Sequence, residues 1–295
     1  MLATVVAVVF VACKKDKDTQ QNVQNAEQSS FVNFKGFNVK VQENDGKLGL
    51  RGGNWLYFQT REDYENAIEV LATSPNDEIL PVFEKAVSFN SMRVVMSKEE
   101  REEIEIEDDV LATILNSNGV IQIGNYLFQI DVYNDVALVY DLTKDAKPAK
   151  YSTMDDFFSI IDGKDAKYNN YCDAKNKKNN VEVSGLSINS KVVYQHALVY
   201  FSLLTRIEKN KNESYLKMQL QTSNDSYYYK NGDNYQRHDL SNHQEGPGYN
   251  KTYEWRPYHG GKRCVEFKFK VTFTAIPDNN PYNPVVWPLT ITCGE

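Results

Sequence analysis

The chain has 295 residues, a formal net charge of −7 and 12% aromatic residues, 19 of them Tyr. That length is long for one hydrophobic core, so two domains are the default. The acidic balance leaves no element with a basic stripe and argues against nucleic acid as a partner, while abundant Tyr and Asn suit exposed β-structure better than a helical bundle.

Residues 2–12 are an unbroken apolar or small run that stops at Cys13. Eleven residues fall short of the roughly twenty that a membrane-crossing helix needs. They match the core of a secretory signal with small residues before the cut; a buried N-terminal strand is the alternative reading. A cysteine at that junction resembles the lipobox of bacterial lipoproteins. The resemblance implies a signal segment over 1–12, acylation of Cys13 and attachment to a membrane through the lipid. Residues 13–30 hold almost nothing to bury and are expected to form a tether spanning roughly 20–25 Å as a coil. The charged run after Cys13 resembles the export signal of Bacteroidota surface lipoproteins, implying an outer-membrane anchor that faces the surface or the periplasm. With Cys13 lipidated, Cys172, Cys264 and Cys293 remain. They are expected as small buried hydrophobes, with a Cys264–Cys293 bridge as the alternative.

An α+β domain is expected over 31–165. Residues 55–59 read as a strand. Thr60 and Asp63 then open a helix whose Tyr64, Ala67, Ile68 and Leu71 share one face, ended at Ser74-Pro75. Asn76 or Asp77 caps a second helix through about Phe89. Ser97 opens a third, expected to run to Asn116 and stop near Asn118-Gly119. Its first part, 99–109, holds eight acids in eleven residues and reads as a solvated face or mobile loop, since no calcium-loop pattern is present. Strands at 120–123 and 126–130 flank Gly124-Asn125, a turn with glycine first as type II′ requires. A third strand covers 136–140, and 153–156 caps a short helix carrying Phe157, Phe158, Ile160 and Ile161. The strand-helix of 55–72 and the segment 115–126 resemble features of uncharacterised Bacteroidota lipoproteins, mainly over residues 13–165. The resemblance implies a scaffold and no particular activity.

Residues 166–180 are charged and Asn-rich and read as a linker. Beyond them the period changes to two. Leu216, Met218 and Leu220 alternate with polar residues, as do Val265, Phe267, Phe269, Val271 and Phe273, and then Leu289, Ile291 and Cys293. Residues 192–207 add one long strand or two short ones. An antiparallel, Ig-like β-sandwich over 181–295 is expected.

No catalytic, phosphate-binding, cofactor or metal motif is present, and forty acids make carboxylate pairs uninformative. A non-catalytic protein without cofactor is expected. One stretch, 225–263, gathers three of the four histidines among tyrosines and arginines. Tyr228, Tyr235, Arg237, His238, Trp255, Arg256, Tyr258 and His259 are its candidate ligand-binding residues, suited to stacking on sugar rings or anchoring a protein partner. The same side chains would also suit the covering of a small sandwich. His196, in an apolar strand, reads as a hydrogen-bonded core residue. The expected role is a binding module for a glycan or protein; an assembly subunit with an exchangeable strand at 286–293 and a carboxylate-type hydrolase are the alternatives.

Overall fold

The structure, a computed structural model, describes residues 30–46, 48, 50, 53–74, 78–144, 147–163 and 172–294. The expectations for Cys13, the segment 1–12 and the tether up to residue 29 lie outside the described residues, as do the expected caps Asn76 and Asp77. The described chain is mostly strand, and its sheets are antiparallel except for one pair.

One seven-stranded sheet is laid down in chain order: β1 (Val32–Phe34), β2 (Phe37–Gln42), β3 (Trp55–Phe58), β4 (Val120–Ile123), β5 (Tyr126–Asp131), β6 (Val136–Asp141) and β7 (Ala149–Tyr151). β3 and β4 run parallel, so the chain must cross over between them, and five helices do this. α1 (Arg61–Ala72) starts as its sequence predicts, with the Thr60 hydroxyl accepting from Asp63 N at 3.0 Å, and buries Tyr64, Ala67, Ile68 and Leu71. α2 (Ile79–Val87) ends at Ser88, which adopts the left-handed conformation. α3 (Met92–Val95) is a single turn capped by Ser91.

The long helix expected over 97–116 is instead two short ones, α4 (Lys98–Glu103) and α5 (Asp109–Ile114). Ser97 and Glu100 form a complete capping box at the start of α4. The break falls at 104–108, where Glu105 turns left-handed at φ 61° and Asp108 caps a new helix by accepting from Val110 N at 2.9 Å.

The β4–β5 turn is of the predicted kind, with Gly124 at φ 56° and Asn125 outside the positive region. Gly119 makes a closer approach: its φ is 71°, and a Cβ there would lie 2.0 Å from the Ile130 carbonyl oxygen. Gly119→Ala is expected to cost more than the about 1–2 kcal/mol of a left-handed backbone alone. The midpoint of a urea melt reads this out, and an unshifted midpoint would show that the loop relaxes freely. In α6 (Phe157–Ile161), Asp156 supplies the cap and Phe157 and Phe158 are buried, whereas Ile160 and Ile161 are exposed.

The chain continues as β8 (Lys175–Val183), β9 (Leu186–Ala197), β10 (Tyr200–Lys209), β11 (Leu216–Thr222), β12 (Tyr227–Lys230), β13 (His238–Asp239), β14 (Gln244–Gly248), β15 (Thr252–Gly260), β16 (Cys264–Pro277) and β17 (Val285–Cys293). One sheet has the order β15-β10-β9-β8; the other has β13-β12-β16-β11-β14, with β17 on the far side of β16. Tyr194 and Phe201 from the first and Leu220, Phe267, Phe269, Phe273 and Trp287 from the second share one core. This is the sandwich-like pairing that a period of two predicts.

Three expectations need correction. Residues 175–180 are strand, not linker, because they make the first six of the nine rungs that pair β8 with β9. Residues 192–207 are a hairpin of two long strands. Among the cysteines, Cys172 is bonded to Cys293, and Cys264 is buried and free. Cys293 stands opposite Phe267. Cys264, three residues further along β16, is therefore roughly 10 Å away, beyond the reach of a disulfide.

Each half has its own core, yet the boundary between them is crossed. Residues 197–200, the tip of the β9–β10 hairpin, belong to the core beneath the seven-stranded sheet. Tyr64 Oη donates to Val199 O at 3.0 Å, and Leu198 N donates to Thr153 O at 2.9 Å.

Candidate functional site

The eight candidate residues do not converge on one spot. Successive residues of a strand point to opposite faces, and β12 and β15 carry most of the eight. Tyr228 points inward, stacks on His238 at 4.5 Å and leans on Tyr258 at 5.0 Å. Tyr258 is buried, and its hydroxyl donates to Lys262 O. Burial pushes the Tyr228 phenol up to about 12 and that of Tyr258 well above its ordinary value, so neither is a base at neutral pH. Trp255 is half-buried, stacked on His243 at 3.8 Å and packed toward Phe269. Arg256 and His259 face the other way, into the junction with the amino-terminal half. Tyr228 and Tyr258 are thus buried in the sandwich and Arg256 in the junction, where none of them presents a free face. His196 is buried as expected, its Nδ1 3.3 Å from Thr153 Oγ1.

Tyr235 and Arg237 are different. They join Tyr227 and Tyr229, the outward residues of β12, in a continuous stack. Tyr229 and Tyr235 are stacked at 4.4 Å, Tyr227 meets Tyr229 edge-on at 5.7 Å, and the Arg237 guanidinium lies 4.2 Å from the Tyr227 ring centre. Glu266 on β16 takes the Tyr227 hydroxyl on one carboxylate oxygen, at 2.9 Å, and the Tyr235 hydroxyl on the other. Arg237 Nε donates to Asp239 at 3.0 Å. Tyr235 is 44% exposed, yet it sits at φ 58° beside Asn234 at φ 48°. A bulky residue in the left-handed region is a strained one, and such strain gathers where a side chain is held for use. Glu266 escapes a reading from sequence because it lies outside the tyrosine-rich stretch, 37 residues from Tyr229, and only the β12–β16 pairing brings the two together.

The acid-rich run 99–109 divides: Glu99, Glu100, Glu103 and Glu105 are exposed, as a solvated face predicts, whereas Glu107, Asp108 and Asp109 turn inward and form a seam between the halves. Asp108 accepts from Arg256 Nε at 3.1 Å and from the hydroxyls of Tyr200 and Ser202. Asp109 pairs with Arg101 at 2.8 Å and with Arg206 at 2.7 Å. Glu107 pairs with Lys178 at 2.8 Å and Lys191 at 3.2 Å, and Gln195 Oε1 accepts from Glu107 N at 2.8 Å. Burial alone would raise the Asp108 and Asp109 carboxyls. Arg256 at the first, and Arg206 with Arg101 at the second, more than reverse this, so both lie below the usual carboxylate range. Beside this seam, a polar cleft of about 360 Å³ opens between α4 and the outer face of β8–β10.

Among the described residues no three His, Cys, Asp or Glu side chains gather as metal ligands, and no helix is long and apolar enough to cross a membrane. No family model matches the chain, and neither the curated proteins nor the solved structures contain a significant match to it.

Proposed function

We propose that the protein is a non-catalytic binding module of the cell envelope, held by a lipid on Cys13, that recognises a glycan through the outer face of its carboxy-terminal sheet. The observation that carries this reading is the stack of Arg237, Tyr227, Tyr229 and Tyr235 around Glu266. Tyrosine supplies rigid, amphipathic contact area at low entropic cost. Its ring can pack on the apolar face of a sugar while Glu266, Asp239 and Arg237 meet hydroxyls at the edges. We place this face on an Ig-like sandwich, with an α+β domain before it as scaffold.

The hydrolase reading has less support, since this carboxylate lies on an open sheet face and takes a tyrosine hydroxyl on each oxygen. A glycan array followed by calorimetry tests the proposal. Tyr229→Ala combined with Tyr235→Ala is expected to lower affinity at least about thirtyfold, the loss of a hot spot of about 2 kcal/mol. Tyr235 is exposed and Tyr229 half-buried, so a stability loss of about 1 kcal/mol is expected, and a thermal melt confirms that the variant remains folded. Equal binding by the double variant would reject the platform.

A further inference from the structure

A second cavity, of about 230 Å³, lies where α1 meets the turn between β15 and β16. Tyr64, Ile68 and Tyr258 give it an apolar side, and Glu65, Glu69, His259, Lys230 and Lys262 carry its charge. The two acids are already engaged: Glu65 with Arg61 at 2.6 Å, and Glu69 with His259 Nε2 at 2.9 Å. The two lysines are not matched in the same way. Lys230 comes no nearer than 3.8 Å to Asp233, whose same oxygen faces His238. For the Lys262 ammonium no carboxylate within 4 Å is found among the described residues. That ammonium is folded against the β12–β13 turn, where a Cβ on Gly232 would meet it at 2.9 Å. Asp156, which feels Lys262, is buried and already accepts from Ser159 and Asn231.

His259 lines the same cavity, with Nε2 held by Glu69 and Nδ1 buried out of reach of an occupant. The cavity is smaller than the ~300–1,000 Å³ of sites for drug-sized ligands, which limits the occupant to one small ring or a phosphate ester.

We propose that this junction cavity binds the oxyanion group of a small ligand, a carboxylate or a phosphate, between the ammonium groups of Lys230 and Lys262, with the body of the ligand over the accessible edges of Tyr258 and Ile68. The site is separate from the tyrosine platform and stands or falls independently of it. The fold favours the arrangement because the ligand would touch α1 and the β-sheets at once, so binding would also tighten the junction and raise the melting temperature by linkage.

The test uses the full chain at low salt, with inorganic phosphate, glucuronate and glucose as probes in calorimetry and thermal melts. Saturable binding of phosphate or glucuronate, with none of glucose, is the expected result, and which anion binds more tightly identifies the source of the charge. Lys262→Gln and, separately, Lys230→Gln should each weaken that binding at least tenfold. Lys217→Gln, on β11 and outside the cavity, should leave it unchanged. Circular dichroism confirms that each variant is folded, and either lysine variant suffices. Binding of neither anion, or binding that both lysine variants retain, would overturn the proposal.

Discussion

Asp108→Ala is expected to lower stability by about 3–5 kcal/mol, the cost of removing one partner from a buried ion pair. The side chain is fully buried. It caps α5 through Val110 N, accepts from Tyr200 and Ser202, and faces Arg256. Its loss would remove one of the two acids that face the Arg256 guanidinium, which also donates to Glu254 at 2.7 Å and to the Ala72 carbonyl at 3.0 Å. Asp108→Asn keeps the shape and the cap but not the charge, and should fall between the two. The midpoint of chemical denaturation measures both. The sign of the pH dependence follows from the depressed carboxyls of Asp108 and Asp109. A group whose folded pKa lies below its unfolded value of about 3.9 contributes stability that is fully present above that value. The contribution is lost as pH falls through the folded pKa. Stability should thus hold from neutral pH to about pH 4 and decline below it, and Asp108→Asn should flatten that decline. An Asp108→Ala variant within about 1 kcal/mol of the parent would mean that the seam does not hold the halves together.

The seam also shows where a reading of the sequence runs out. The run 99–109 looks solvated throughout because its eight acids have only Lys98 and Arg101 beside them in the chain. Its distant partners lie 70 to 150 residues away, and two of them are basic residues set in largely buried strands: Lys191 before Val192-Val193 and Arg206 before Ile207. A lone cation in a buried strand is a signal, since such groups stay buried when paired, but it names no partner until the sheets are placed. Local features are legible for the opposite reason. The Thr60 cap, the face of α1, the Gly124 turn and the alternation of β11 and β16 rest on contacts within a few residues. The tyrosine-rich stretch is intermediate. Its composition marks a region with exposed aromatics, yet strand alternation sends Tyr228 and Tyr258 inward and leaves Tyr227, Tyr229 and Tyr235 on the outside. Only pairing decides which tyrosines a ligand can reach.

Cys293→Ser is expected to destabilise the protein by about 2–5 kcal/mol, the usual effect of losing a bridge that closes a long loop. The Cys172–Cys293 bridge spans 121 residues and enters just before β8, the edge strand of one sheet. It leaves at the end of β17, which lies against β8 from the other sheet. Breaking it frees both edges at once and releases the last strand, which nine rungs of pairing to β16 would then have to hold alone. The same bridge weighs against an assembly subunit that exchanges the strand at 286–293, because that strand cannot leave while Cys293 is tied. Thiol titration separates the bridge from the free cysteine. Cys264 is buried, which pushes its thiol well above the ordinary range, so over residues 30–295 no thiol should react in the folded state. One should react after unfolding, and three after reduction. A folded protein with reactive thiols at Cys172 and Cys293, and a midpoint insensitive to reductant, would remove the bridge from the account. It would also weaken the proposed extracytoplasmic location, since bridges of this kind persist where the surroundings are oxidising.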